Sequence, residues 1–96
     1  MPIDITTAEE LLFLKGRVLL LAFAEWAPPS VSMLARLEQI EGLQTATLDI
    51  ETHPEVAKLL DIRAVPTLIV LVDGEYKAFK VGLISAVQAY AWAVHA

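Results

Sequence analysis

The sequence predicts an α/β domain, a mixed central β-sheet with helices on both faces, in the order β-α-β-α-β-α-β-β-α. Three observations carry that expectation. Residues 18–23 (Val-Leu-Leu-Leu-Ala-Phe) and 68–72 (Leu-Ile-Val-Leu-Val) are apolar without alternation, as strands are when both faces of their sheet are covered. The segments between and after them carry apolar residues at spacings of three and four, the period of a helix with one buried side. Asp73-Gly74 directly follows the second apolar run and signals a tight hairpin. Strands that alternate with helices pair in parallel through right-handed crossovers. The hairpin then adds an antiparallel strand at one edge.

Residues 2–5 form a short first strand. Thr7-Ala8-Glu9-Glu10 has the form of a capping box, and a helix follows through Leu11, Leu12 and Leu14, with Gly16 suited to its C-terminal cap. The two-sided run 18–23 is a central strand. Pro28 and Pro29 suit the start of the next helix, where a missing amide hydrogen costs least. Met33, Leu34, Leu37 and Ile40 give that helix a buried stripe, and Gly42 ends it. Residues 43–50 alternate loosely as a third strand. Thr52-His53-Pro54-Glu55 reads as a second capping box, with Val56, Leu59 and Leu60 on the buried side of the helix behind it. After a connection at 61–64, the strand 68–72 turns at Asp73-Gly74 into an edge strand, 75–81, that Lys77 and Lys80 guard. Gly82 breaks this strand. Ser85 caps a last helix whose apolar side is Val87, Tyr90, Ala91 and Val94.

Length and composition bound the function. Ninety-six residues without repeat, linker or low-complexity segment make a single domain, 1–96. A net charge of −5 with scattered lysines and arginines gives no electrostatic footprint for nucleic acid and no basic face for anionic membranes. The chain has no cysteine, which excludes disulfides, thiolate nucleophiles and Cys-ligated metals. His53 and His95 stand alone, without metal-ligand spacing, and no cofactor is expected. No basic region precedes an apolar run at the N-terminus, and no apolar run approaches the ~18 residues of a membrane span, so a cytoplasmic location is expected.

Four stretches carry a resemblance. They are Ala24-Glu25-Trp26-Ala27-Pro28-Pro29-Ser30, the segment 61–67 containing Val65-Pro66-Thr67, Asp73-Gly74-Glu75, and Lys80-Val81-Gly82. In order and spacing they resemble the thioredoxin family along nearly the full chain. The resemblance implies a thioredoxin fold with a short first strand and a cis-proline at Pro66. It also places Ala27 where the family has its attacking cysteine and Ser30 where it has the resolving one. Leu21 stands where many thioredoxins bury an aspartate, and Thr47 where they place its lysine partner. Thiol–disulfide exchange proceeds through attack of a thiolate on sulfur, and neither alanine nor serine supplies one. A buried ion pair is weak support for stability, so its absence together with the cysteines fits lost redox chemistry.

The expected function is therefore that of a redox-inactive thioredoxin-like protein acting by protein or peptide binding, as chaperone, scaffold or subunit, with no catalytic residues. The binding residues would be Trp26, Pro28, Pro29, Val65, Pro66, Thr67 and Gly82. Val65 would offer main-chain groups to an extended peptide, and Gly82 would let a ligand backbone approach. Two alternatives stand beside it. One is a thiol-disulfide oxidoreductase of cell redox homeostasis in which the cysteines at 27 and 30 have been replaced. The other is a structural homodimer that joins through the 26–30 turn. Ser30 has no His or Asp at predictable reach, so a hydrolytic triad is not expected.

Overall fold

The computed structural model describes all 96 residues. The element order is β1 (Ile3–Asp4), α1 (Ala8–Leu12), β2 (Arg17–Phe23), α2 (Pro28–Leu37), β3 (Gln44–Asp49), α3 (Pro54–Leu59), β4 (Thr67–Val72), β5 (Glu75–Val81) and α4 (Ala86–His95). The strands form one five-stranded sheet in the order β1-β3-β2-β4-β5. β1, β3 and β2 run parallel, while β4 is antiparallel to β2 and β5 to β4. The expected α/β architecture with a mixed sheet is the one observed.

The two-sided apolar strands explain the layering. In β2, Val18 and Leu20 point to one face, Leu19, Leu21 and Phe23 to the other. β4 divides its side chains in the same way, Ile69 and Leu71 against Leu68 and Val70. Leu11, Val56 and Ala57 from α1 and α3 cover the first face, and Met33, Leu37, Ala89 and Ala93 from α2 and α4 cover the second. Alternation along each central strand thus builds two cores from a single sheet.

Several local expectations hold in detail. Thr7 and Glu10 form a reciprocal capping box on α1, and Ser85 does the same on α4 with Gln88. Asp73 and Gly74 both have positive φ, 51° and 81°, as the two central residues of a type I′ hairpin turn require.

Others are corrected. Gly16 does not cap α1, whose C-cap is Phe13. It adopts φ +70° further on, where its N–H donates to Asp73 Oδ1 at 2.8 Å and its carbonyl accepts the Asp73 N–H at 2.9 Å. Gly16 therefore clasps the start of β2 to the hairpin. Thr52 does not open a capping box. The N-cap of α3 is His53, with no side-chain bond, and Asp49 organises the turn before it by accepting the N–H groups of Glu51 (3.0 Å) and Thr52 (3.4 Å). Leu59 is exposed, because the buried stripe of α3 centres on Val56, Ala57 and the half-buried Leu60. The buried side of α4 is likewise not Val87, Tyr90, Ala91 and Val94. Ala89 and Ala93 lie against the sheet and Trp92 packs beside them, while Val87 is 79% exposed. Small residues let the helix axis come close to the sheet. Two arginines hold this rotation. Arg36 Nη1 donates to the Ile84 carbonyl before the helix, and Arg17 Nη1 to the Ala93 carbonyl near its end, both at 3.0 Å.

Candidate functional site

β2 delivers the chain to a turn at the edge of the sheet. Ala24 is buried, and Glu25 and Trp26 reach solvent. Ala27 is the N-cap of α2, extended at φ −102° and ψ 109°. Its N–H donates to the Ala24 carbonyl (3.1 Å), and its own carbonyl accepts from Ser30 (2.9 Å) and Val31 (3.2 Å). Pro28 and Pro29 occupy the first two helical positions and have no N–H. The first turn of α2 thus presents no free amide. Anion sites at helix N-termini depend on such amides together with the dipole, and here only the dipole remains. The turn therefore offers no main-chain N–H to an anion.

The loop before β4 faces it. The Val65–Pro66 peptide bond is cis. The Pro66 carbonyl accepts from the Gly82 N–H at 2.9 Å, and Thr67 Oγ1 donates to the Ala64 carbonyl at 2.7 Å. These bonds occupy the carbonyls on either side of Val65. Val65 itself, half-buried, makes no intramolecular hydrogen bond through its N–H or its carbonyl.

Turn and loop enclose a depression of about 420 Å³. Trp26, Ala27, Pro28, Pro29 and Val65, all singled out from the sequence, line it together. The other three do not. Pro66 is buried behind the loop. Thr67 lines a neighbouring depression of about 300 Å³ with Phe79 and Val81. Gly82 ties down the loop through its N–H, at φ +112°, with open space where a Cβ would stand. The sequence reading missed Ile50, Ile62, Arg63 and Ala64, which complete the lining. Ile50 closes a strand-like run and gave little signal, whereas Ile62 to Ala64 lie in the family-spaced segment 61–67, in a connection whose lack of periodicity hides which side chains face the site. Asp61 makes that connection turn through a left-handed conformation, φ 57°, which aspartate tolerates.

The chemistry of the lining is sparse. Arg63 is the charged residue in it, and its Nε donates to Asp61 Oδ1 at 3.1 Å on the surface. Ser30 is wholly buried under the turn, and its Oγ has no hydrogen-bond partner. Leu21 and Thr47 are register partners on β2 and β3, both buried. No group of three or more His, Cys, Asp or Glu side chains is placed to hold a metal ion. No helix is long and apolar enough to cross a membrane.

No family model matches the chain. Among curated proteins, it is 34% identical to a thioredoxin from Buchnera aphidicola over 85 residues, 83% of this chain and 79% of that one. The chain belongs to the thioredoxin family. A second relative, a thioredoxin from Chlamydia caviae, is 35% identical over 72 residues, covering 71% of each chain. Solved structures agree on the thioredoxin fold. A single-substitution variant of thioredoxin from Halobacterium salinarum superposes with a TM-score of 0.87 at 21% identity, over 98% of this chain and 88% of that one. The thioredoxin of Malassezia sympodialis gives 0.85 at 18% identity, over 99% and 90%. Within this thioredoxin-family chain, Ala27 and Ser30 at the 26–30 turn hold no sulfur.

Proposed function

We propose that this thioredoxin-family protein is redox-inactive and acts by binding, holding an extended peptide or a partner's loop between the 26–30 turn and the loop at Val65. One observation carries the reading. Val65 has a free main-chain donor and a free acceptor beside an apolar depression. Strand-like peptide recognition needs those two things: backbone groups for affinity and apolar recesses for side chains. Neither depends on a cysteine. Trp26, 65% exposed over the depression, is the aromatic anchor, and such residues dominate binding energy at interfaces. Pro66, Thr67 and Gly82 set the loop behind Val65 instead of touching the ligand first. The protein would work in the cytoplasm, as chaperone, scaffold or subunit.

Trp26 also supplies the readout. Peptides selected for binding from an extended, apolar library should shift its fluorescence in a Trp92→Phe background. Trp26→Ala should weaken those peptides about tenfold or more, and insulin disulfides should stay unreduced. Selected peptides that bind Trp26→Ala equally well would place the site elsewhere.

The orphan hydroxyl of Ser30 favours a second reading, an oxidoreductase whose cysteines at 27 and 30 have been replaced. A buried hydroxyl without a partner costs about 1–3 kcal/mol, whereas a thiol behaves there as a small hydrophobe. Cysteine codons at both positions of the natural gene would establish this reading and displace the first.

A further inference from the structure

We propose that β5 is a pairing edge for a second copy of this chain. The two β5 strands would run antiparallel, with Glu75 opposite the partner's Lys80 and Tyr76 opposite the partner's Phe79. β5 is the last strand of the sheet and pairs only with β4. Its outer main-chain groups are therefore free, which makes an edge of this kind a template for another strand.

A bulge determines which partner fits. Ala78 pairs with Val70, but Tyr76 pairs with Leu71, so Lys77 is an extra residue on β5. In a regular strand, residues an odd number apart point to opposite faces. The extra residue reverses this across it. Tyr76 and Phe79 thereby share the face of Leu71 and Ile69, and Glu75 and Lys80 share the face of Val72 and Leu68. A two-fold axis between Lys77 and Ala78 then matches both faces at once. One face gains two Glu–Lys pairs and the other two Tyr–Phe pairs, each reciprocal as a two-fold interface demands. Lys77 falls opposite the partner's Ala78, so no like charges are directly opposed.

The side chains are available for this. Lys77 Nζ holds Glu75 Oε2 at 3.1 Å and leaves Oε1 free. Lys80 has no carboxylate within salt-bridge reach, and its Nζ lies 6.0 Å from the centre of the Trp92 ring. Tyr76, Phe79 and Val81 are 46%, 61% and 53% exposed. Exposed Leu12 and Leu59 line a depression together with Tyr76, extending the patch. A contiguous exposed apolar patch of this kind, rimmed by charge, marks an interaction surface. Lysine on an edge strand repels strands that do not match it. Here the match lies on the same strand read backwards, so Lys80 selects a second copy. The inference goes beyond the peptide groove, which remains open at the 26–30 turn, and neither needs the other.

Sedimentation at rising concentration tests it with two opposite variants. The unmodified protein should dimerise. Glu75→Lys and Lys80→Glu should each weaken self-association about tenfold or more, since two attractive pairs become two repulsive ones. An equal mixture of the two variants should dimerise again, because each then offers the charges the other lacks. That recovery also shows that both variants are folded. A protein monomeric at every accessible concentration overturns the proposal. So does a dimer that survives in both single variants, a mixture that stays monomeric, or a dimer lost in Trp26→Ala, which would locate the contact at the 26–30 turn.

Discussion

Ser30 Oγ is wholly buried and unpartnered beneath the Trp26 turn. Removing such a group relieves its desolvation and leaves only a small void. Ser30→Ala should therefore leave the protein as stable as before or more stable by about 1–2 kcal/mol, read from urea unfolding midpoints. A loss of more than that amount would show that the hydroxyl is satisfied after all. Glu10 behaves in the opposite way. Hydrogen bonds from Thr6, the hydroxyl foremost and then the backbone, together with those from Thr7, outweigh slight desolvation and hold its carboxyl below the usual 4.5. A depressed folded-state value means stability that is present above the unfolded value and is lost as pH falls through the folded one. Glu10→Gln should thus lower stability evenly above pH 4.5, and the difference from the unmodified protein should shrink as pH falls below it, flattening the acid side of the stability curve. The sequence disclosed Glu10's role, because Thr7 and Glu10 lie at capping-box spacing. Ser30's orphaned state it did not disclose, since the number of partners around a buried atom depends on elements far away in the chain.

The β4–β5 hairpin shows how much an element can owe to one position. A Cβ on Gly74 would stand 3.0 Å from the Leu11 carbonyl oxygen and 3.1 Å from that of Leu12, both backbone, and φ there is +81°. Gly74→Ala meets a strained conformation and a wall that cannot swing aside, so it should destabilise the fold by about 1–3 kcal/mol. Thermal unfolding measures this. Gly16→Ala is the control: its φ is also positive, but nothing lies within 4 Å of the new atom, so the loss should be smaller. The turn itself was legible in the dipeptide Asp73-Gly74. That α1 packs on it was not, because local turn chemistry is silent about what lies above the turn. The same limit governs the helices. The stripe of α2 follows Met33 and Leu37 as its period says, since large apolar residues mark the buried side. In α4 the marks mislead. Val87 and Tyr90 are the more apolar or larger side chains, yet the sheet takes Ala89 and Ala93, whose smallness is an asset only once two surfaces meet closely.

At the scale of the whole molecule, the groove is assembled from the ends of β2 and β3 and from the starts of α2 and β4, held by the sheet between two cores. Half of it was legible, because Trp26, the two prolines and Val65 sit in stretches with family spacing. Ile62, Arg63 and Ala64 share the stretch of Val65, but which of its side chains turn toward the depression depends on the left-handed turn at Asp61, and Ile50 reaches the same place only through folding. Under the proposed binding role, recognition and chemistry are separable in such a frame. Ala27 lines the depression and Ser30 lies beneath it, so sulfur can be returned to both without moving the walls. Ala27→Cys combined with Ser30→Cys should then yield a dithiol that forms and breaks a disulfide and reduces insulin measurably. Groove ligands should still bind the dithiol form within about twofold of their original affinity, because the anchor, Trp26, and the free groups of Val65 are untouched. Leu21 and Thr47, buried register partners on β2 and β3, supply no acid–base couple, so proton transfer must come from solvent, and the rate should stay low where water is excluded by a bound peptide. If the restored dithiol turned over quickly with a peptide in place, the groove would not be where that peptide sits.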